Sequence, residues 1–197
     1  MKEQTAPRPY RQRRRAEAAE ANTERILQAA NALFEERPWE QITFAAVAER
    51  AGVGTQTIIR RFGTKDGVAR AVTAWLTPQI EAARDVPVGA PPAEVAAALA
   101  RHYERWGGNA ERTLRQQDAS PALAEAAAGG RAAHREWVER VFAPRLAALP
   151  KASRPDTTGR LIGICGVELW LVLRRDGGLS PGAARSAVAD LIAATLP

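Results

Sequence analysis

The sequence predicts an all-α protein, and three observations carry that expectation. Alanine is the dominant apolar residue and β-branched runs are scarce outside residues 161–172, a composition that favours helix nearly everywhere. Residues 43–65 read as a short helix, a glycine-containing turn and a second short helix. Two largely apolar helical segments, 158–175 and 184–196, close the chain around a Gly177-Gly178 turn. The expected architecture is an N-terminal three-helix unit built on a helix-turn-helix, followed by a larger helical domain.

Within residues 43–65 each residue type suits its place. Ala48 is small enough for two helices to cross closely, and Gly52 can take the left-handed conformation that ends the first helix. Val53 and Ile58 are spaced to point into a small core, and Phe62 is expected to close it. The outward face of the second helix is then Thr55, Gln56, Ile59, Arg60 and Arg61. Polar and cationic groups on such a face reach base edges in a major groove, so these five are the candidate base contacts. Thr43 is placed to cap the first helix, and the amides it caps can also hold a phosphate. Thr57 and Lys65 complete the candidate phosphate contacts, which anchor a duplex without reading its sequence.

The chain carries a net charge of +6 with 46% hydrophobic and 25% charged residues, an ordinary globular balance with a basic excess. That excess suits an anionic partner but does not by itself separate nucleic acid from a membrane surface. Arg8, Arg11, Arg13, Arg14 and Arg15 crowd the start. Residues 1–21 are therefore expected to form a basic, partly disordered arm, with Arg11, Arg13, Arg14 and Arg15 following phosphates or entering a minor groove. A solvated basic tail explains the same residues. A membrane-surface role lacks the interleaved apolar face it needs. The apolar stretch at 161–173 contains Glu168 and falls well short of the roughly 20 residues of a membrane span. No apolar signal-peptide core precedes the first helix, and Cys165 is the single cysteine, so the expected location is cytoplasmic, with no disulfide and no metal site.

Taken in order, the first firm helix is expected from Asn22 or Thr23, with Ile26, Leu27, Ala30, Leu33 and Phe34 as its apolar stripe and Pro38 ending it. Trp39 and Ile42 should plug the base of the module. From Asp66 an amphipathic helix follows, kinked or split at Pro78. Residues 84–92 hold three prolines and a glycine and form the clearest loop. A helix from Pro92 or Ala93 should end at Gly107-Gly108, with a short helix over 109–117. Pro121 begins a longer one, open to interruption at Gly129-Gly130 and stopped by Pro150.

Residues 22–76 resemble the DNA-binding domain of the tetracycline-repressor (TetR) family of transcriptional regulators. The likeness rests on Thr43, Val47, Ala48, Ala51-Gly52-Val53, Thr57-Ile58, Phe62 and Thr64-Lys65-Asp66, and covers a little over a quarter of the chain. It implies an all-helical homodimer, with DNA bound by the N-terminal module (22–73) and a small molecule bound by a C-terminal domain (74–197) that also dimerises. It further implies that the helix from Asp66 transmits the ligand signal. Two positions depart from the pattern: Ile59 stands where tyrosine is frequent, and Arg61 where tyrosine or histidine is frequent. Neither is a core position, so the expected consequence is an altered operator preference on an unaltered fold.

His102, Trp106, Trp137, Glu168 and Trp170 are the candidate ligand-pocket residues, since such pockets are mostly apolar with a few polar groups. For each, core packing is the rival explanation. Glu168 is singled out because a carboxylate in an apolar helix costs several kcal/mol to bury unpaired. Gly163, Gly166, Val188, Leu191 and Ile192 are the candidate dimer-interface residues, where two C-terminal hairpins would form a four-helix interface. The function expected is a ligand-responsive DNA-binding regulator, a repressor binding a palindromic operator, with a small-molecule effector and no cofactor. The alternative is an effector-independent architectural nucleic-acid-binding protein. With two histidines on separate helices and no glycine-rich phosphate loop, an enzyme is not expected.

Overall fold

A computed structural model describes residues 8–196 of the chain. They form α-helices joined by short turns, with no strand among the described residues. The chain divides into two compact units, Met1–Val72 and Thr73–Pro197.

In the first unit, α1 spans Arg8–Glu36. It starts well before the expected Asn22 or Thr23, so residues 8–21 of the arm expected to be partly disordered are helical. The reason is local: residues 11–21 are arginine, alanine, glutamate and glutamine, all strong helix formers, and Pro9 falls in the first turn, where its missing N–H costs nothing. Residues 1–7 of the expected arm lie outside the described residues, as do the side chains of Arg11, Arg14 and Arg15. Ile26, Leu27, Ala30, Leu33 and Phe34 are all buried. Trp39 meets Phe34 edge to face, their centroids 6.4 Å apart, and Ile42 is buried in the same unit.

Helix α2 spans Phe44–Ala51 and α3 spans Thr55–Phe62. The Thr43 hydroxyl accepts from the Ala46 amide at 3.1 Å, as a capping threonine should. Gly52, at φ 64 and ψ 40, ends α2 in the left-handed conformation, and the Val53 amide then reaches back to the Ala48 carbonyl at 3.0 Å. Ile58 is fully buried beneath α3, while Val53 and Phe62 are only half-buried.

Helix α4, Lys65–Ala83, continues through Pro78, so of the expected kink or split the split does not occur. Helix α5, Pro92–Arg115, likewise passes through Gly107-Gly108, where the sequence predicts a stop. Gly107 is buried against Tyr103, Val167 and Leu171, so packing holds helical backbone that local propensity would release. Helix α6, Pro121–Val141, continues through Gly129-Gly130 but ends at Phe142, ahead of Pro150, and a short α7 spans Ala143–Ala148.

The expected helix over 158–175 is two. Helix α8, Arg154–Ile164, stops at Cys165, and α9, Val167–Leu171, begins after Gly166 and passes into a π-helical turn at Val172–Asp176. The carbonyls freed at that break find side-chain donors. The Tyr103 hydroxyl donates to the Cys165 carbonyl at 2.7 Å, and His134 Nε2 lies 3.0 Å from the Ile162 carbonyl. Helix α10, Pro181–Thr195, is capped by Ser180 and packs on α5, and Val95, Leu99, Val188 and Ile192 share one core.

Candidate functional site

The face expected to read DNA is built by α3. With Ile58 buried as its anchor, Gln56 and Arg60 fall one turn apart on the opposite, exposed side. Ile59 is exposed beside them at 37%, unusual for a large aliphatic side chain, and Arg61 is exposed as well. Thr55 and Thr57 are half-buried at the first turn. The arrangement offers one amide, two guanidiniums and an apolar patch, the groups suited to adenine, guanine and a thymine methyl.

Thr43 is exposed, but its hydroxyl is already committed to the cap. Lys65 is more constrained than an ordinary surface lysine. It is half-buried at the start of α4, donates to the Trp39 carbonyl, and lies 4.4 Å from the centre of the Trp39 ring. Burial pushes its pKa down, opposed by the charges of Glu40 and Asp66. Lys65 therefore ties α4 to the connector before α2, and two of its three donors remain for another partner. Sequence reasoning misses this tie, because nothing in residue spacing brings Trp39 and Lys65 together.

Gly67 escapes it too. A Cβ there would lie 2.0 Å from the Phe62 carbonyl oxygen, and its amide is held by the Thr64 hydroxyl at 3.0 Å. Only glycine lets the chain leave α3 and enter α4 this tightly. Arg50 pairs with Glu36 at 2.6 Å, which links α2 to α1 and holds the Glu36 carboxyl below its usual range. Arg13 is exposed and pairs with Glu17 one turn away at 3.0 Å.

In the second unit, the aromatic candidates separate by how their polar atoms are satisfied. Trp137 Nε1 donates to the Arg84 carbonyl at 3.0 Å, and Trp170 Nε1 to Glu104 at 3.2 Å. Both behave as packed core tryptophans. His102 and Trp106, one turn apart on α5, are buried with His102 Nδ1 and Trp106 Nε1 unpartnered, and Arg84 Nε shares that condition. Burial first, and then the Arg84 charge, lower the His102 pKa to about 4, so the ring is neutral near pH 7. His134 is shifted down chiefly by burial too, and stacks on Trp137 with centroids 6.2 Å apart.

Glu168 is exposed on α9, so the burial cost that singled it out does not arise. The break at Cys165-Gly166 is the cause, since it removes residue 168 from the continuous apolar helix that the sequence pattern predicts. Cys165 is fully buried and its thiol pushed up to about 12. The dimer candidates also divide. Gly163 and Leu191 are exposed, whereas Val188 and Ile192 are spent in the chain's own core, and Gly166 is buried at the break. Among the described residues, no helix is long and apolar enough to cross a membrane.

Residues 26–72 match the family profile described as bacterial regulatory proteins, tetR family. No curated protein matches the chain. Among solved structures, a transcriptional regulator from Rhodococcus sp. Rha1 is similar, at 21% identity over 88% of this chain and 95% of that one, with a TM-score of 0.68. A TetR-like transcriptional regulator from Rhodococcus sp. RHA1 follows at 18% identity over 87% and 93%, TM-score 0.61. A TetR transcriptional regulator from Rhodococcus sp. RHA1 gives 22% identity over 89% and 95%, TM-score 0.51. These likenesses show a shared fold over nearly the whole chain. The profile match runs from α1 into α4, so the likeness to bacterial regulatory proteins of the tetR family is carried by the N-terminal unit, and over the rest of the chain the likeness is one of fold.

Proposed function

We propose that the protein is a ligand-responsive repressor that binds a palindromic operator as a homodimer and is released by a small molecule. The observation that carries the DNA-reading part is the α3 face, where Gln56, Ile59 and Arg60 are exposed above a fully buried Ile58. Gln56, Arg60, Arg61, Ile59 and Thr55 read bases, while Thr43, Thr57 and Lys65 hold phosphates. In a dimer, two such helices enter successive major grooves about 34–36 Å apart. Arg11, Arg13, Arg14 and Arg15 on the first turns of α1 would add sequence-independent phosphate contacts.

Dimerisation is assigned to the exposed side of α8 and α10, around Gly163 and Leu191. Gly159 and Gly163 there have open space where a Cβ would lie, which permits a second helix to approach. The effector site is assigned to the second unit, near the unsatisfied His102 and Trp106. Ligand binding would act through α4, whose residues run from Lys65 to Ala83. The ligand must prefer the low-affinity arrangement, since equal affinity for both shifts nothing.

A gel shift with the DNA upstream of the protein's own gene tests this reading. Sequence-specific binding with two-fold symmetric protection, weakened by a small molecule, is expected. Binding without sequence preference, with a salt dependence set by the arginines of α1, would instead make the protein an architectural one. No DNA binding at low salt would remove both.

A further inference from the structure

Resting on the ligand-responsive reading, we propose that the effector is a small organic carboxylate, anchored by Arg84 and completed by His102 and Trp106. Arg84 follows the last turn of α4 and is buried. A guanidinium stays charged in a protein, and burying that charge without a counter-ion is costly. Among the described residues Arg84 has no carboxylate within ion-pair distance, and the adjacent Asp85 pairs with Arg140 instead, at 3.7 Å. What Arg84 does have is one donor on the Ala133 carbonyl at 3.3 Å and the Trp137 ring 5.6 Å from its guanidinium carbon. Its Nε–H points to no acceptor.

The two other buried orphans of the unit lie on α5. His102 is bonded through the backbone of Ile80, which leaves Nδ1 over, and Trp106 Nε1–H is likewise without an acceptor. Arg84 Nε–H and Trp106 Nε1–H therefore lack acceptors, the His102 ring feels the Arg84 charge and sits one helical turn from Trp106, and its Nδ1 can become a third donor by taking a proton from solvent. Around them, Glu81, Tyr103, Arg105, His134, Arg140 and Glu168 are the other charged or titratable groups. The Tyr103 hydroxyl and His134 Nε2 are already committed to backbone carbonyls, Arg105 lies over the Trp106 ring, and Glu81 and Glu168 are exposed. A single guanidinium edge with an indole N–H and an imidazole suits a monoanion, and the tryptophan rings suit an organic body.

The same atoms supply a reason for the protein to respond. All three orphans are sealed from water, so the ligand enters only as this part of the unit opens. The closed form holds unmet polar groups and the occupied form meets them. Binding relieves that cost, and it shifts the population toward whichever arrangement opens the site to the ligand.

Calorimetric titration of the full chain with benzoate, butyrate and octanoate, each beside its neutral amide, tests the proposal. At least one carboxylate should bind in the millimolar range or tighter, with its amide about tenfold weaker or worse. Binding should take up a proton, read from the buffer dependence of the heat near pH 7. Arg84→Gln should abolish the preference for the carboxylate, and Arg84→Lys should retain part of it. Trp106→Phe, which keeps the packing and removes only the N–H, should weaken carboxylate and spare amide; it serves alone if the Arg84 variants do not fold. Equal binding of acid and amide, a preference that survives in both Arg84→Gln and Trp106→Phe, or no carboxylate binding at all would overturn it. Operator binding in a parallel gel shift keeps the two readings apart. Specific DNA binding with no anion site sinks only the carboxylate; an anion site without specific DNA binding sinks only the repressor.

Discussion

The Lys65 ammonium lies over the Trp39 ring, 4.4 Å from its centre, and donates to the carbonyl of the same residue. One side chain thus joins the start of α4 to the connector between α1 and α2. Lys65→Ala should lower stability by about 1 kcal/mol through the lost cation–π contact and hydrogen bond. It should also weaken specific and non-specific DNA to a similar degree, since an ammonium on a phosphate carries no sequence information. Urea denaturation and paired binding isotherms measure the two effects; a sequence-dependent loss would rule out the phosphate role.

Gln56 and Arg60 share the exposed side of α3 opposite Ile58. Alanine at either should cost about 1–3 kcal/mol of operator affinity and relax preference at the base it contacts. Fluorescence anisotropy against operator variants reads this. Unchanged isotherms for both variants would remove the base-reading assignment.

Gly67 and Gly129 should respond in opposite directions to the same substitution. At Gly67 a methyl group would collide with the Phe62 carbonyl oxygen, and Gly67→Ala should cost about 3 kcal/mol. At Gly129, mid-helix in α6 with nothing within 4 Å, alanine should stabilise by about 0.5–1 kcal/mol through backbone entropy. Chemical denaturation midpoints of the two variants decide it.

Tyr103→Phe should destabilise by about 1–3 kcal/mol, because it leaves the Cys165 carbonyl at the α8–α9 break without its 2.7 Å partner. The neighbouring thiol should be inert in the native protein. With Cys165 buried and its pKa pushed up to about 12, a thiol reagent at mildly alkaline pH should label it only on unfolding.

Acid should weaken the second unit through its histidines. Burial pushes His102 down from its ordinary 6.5 to about 4 and shifts His134 the same way, with the Arg84 charge adding to both. The unfolded chain then binds more protons between these values, so stability is full above about pH 6.5 and falls as pH drops toward 4. The His102 share is at most about 3 kcal/mol. His102→Gln should flatten the stability profile between pH 4 and 6.5; an unchanged slope would show that burial does not hold the ring neutral.

Much of the helix-turn-helix was legible because its determinants are local. A capping threonine, a left-handed glycine and an aliphatic anchor on the inner side of a short helix are all short-range features. Thr43, Gly52 and Ile58 each take the place their chemistry requires. The outward face of α3 follows from the burial of Ile58 by helical geometry alone.

Glycine and proline are weak stop signals inside a helix whose neighbouring residues favour it, and only at Gly107 does side-chain packing add to that. Gly107-Gly108, Gly129-Gly130 and Pro78 all lie inside continuous helices, while the break that matters falls at Cys165-Gly166 within an apolar run. There the Tyr103 hydroxyl and His134 ring, from two other helices, take up the carbonyls that a break exposes. Such donors are invisible in a local window.

From the sequence alone came the all-helical class, the helix-turn-helix and the exposed face of its second helix, because periodicity, caps and turn residues act over a few neighbours. Only the tertiary structure decided that Lys65 rests on Trp39, that Val188 and Ile192 are spent in the core, that Glu168 is exposed, and that Arg84, His102 and Trp106 are buried with polar atoms unmet. Those facts depend on contacts between residues far apart in the chain. Side-chain satisfaction in a core is set by which helices meet, not by the order of residues along any one of them.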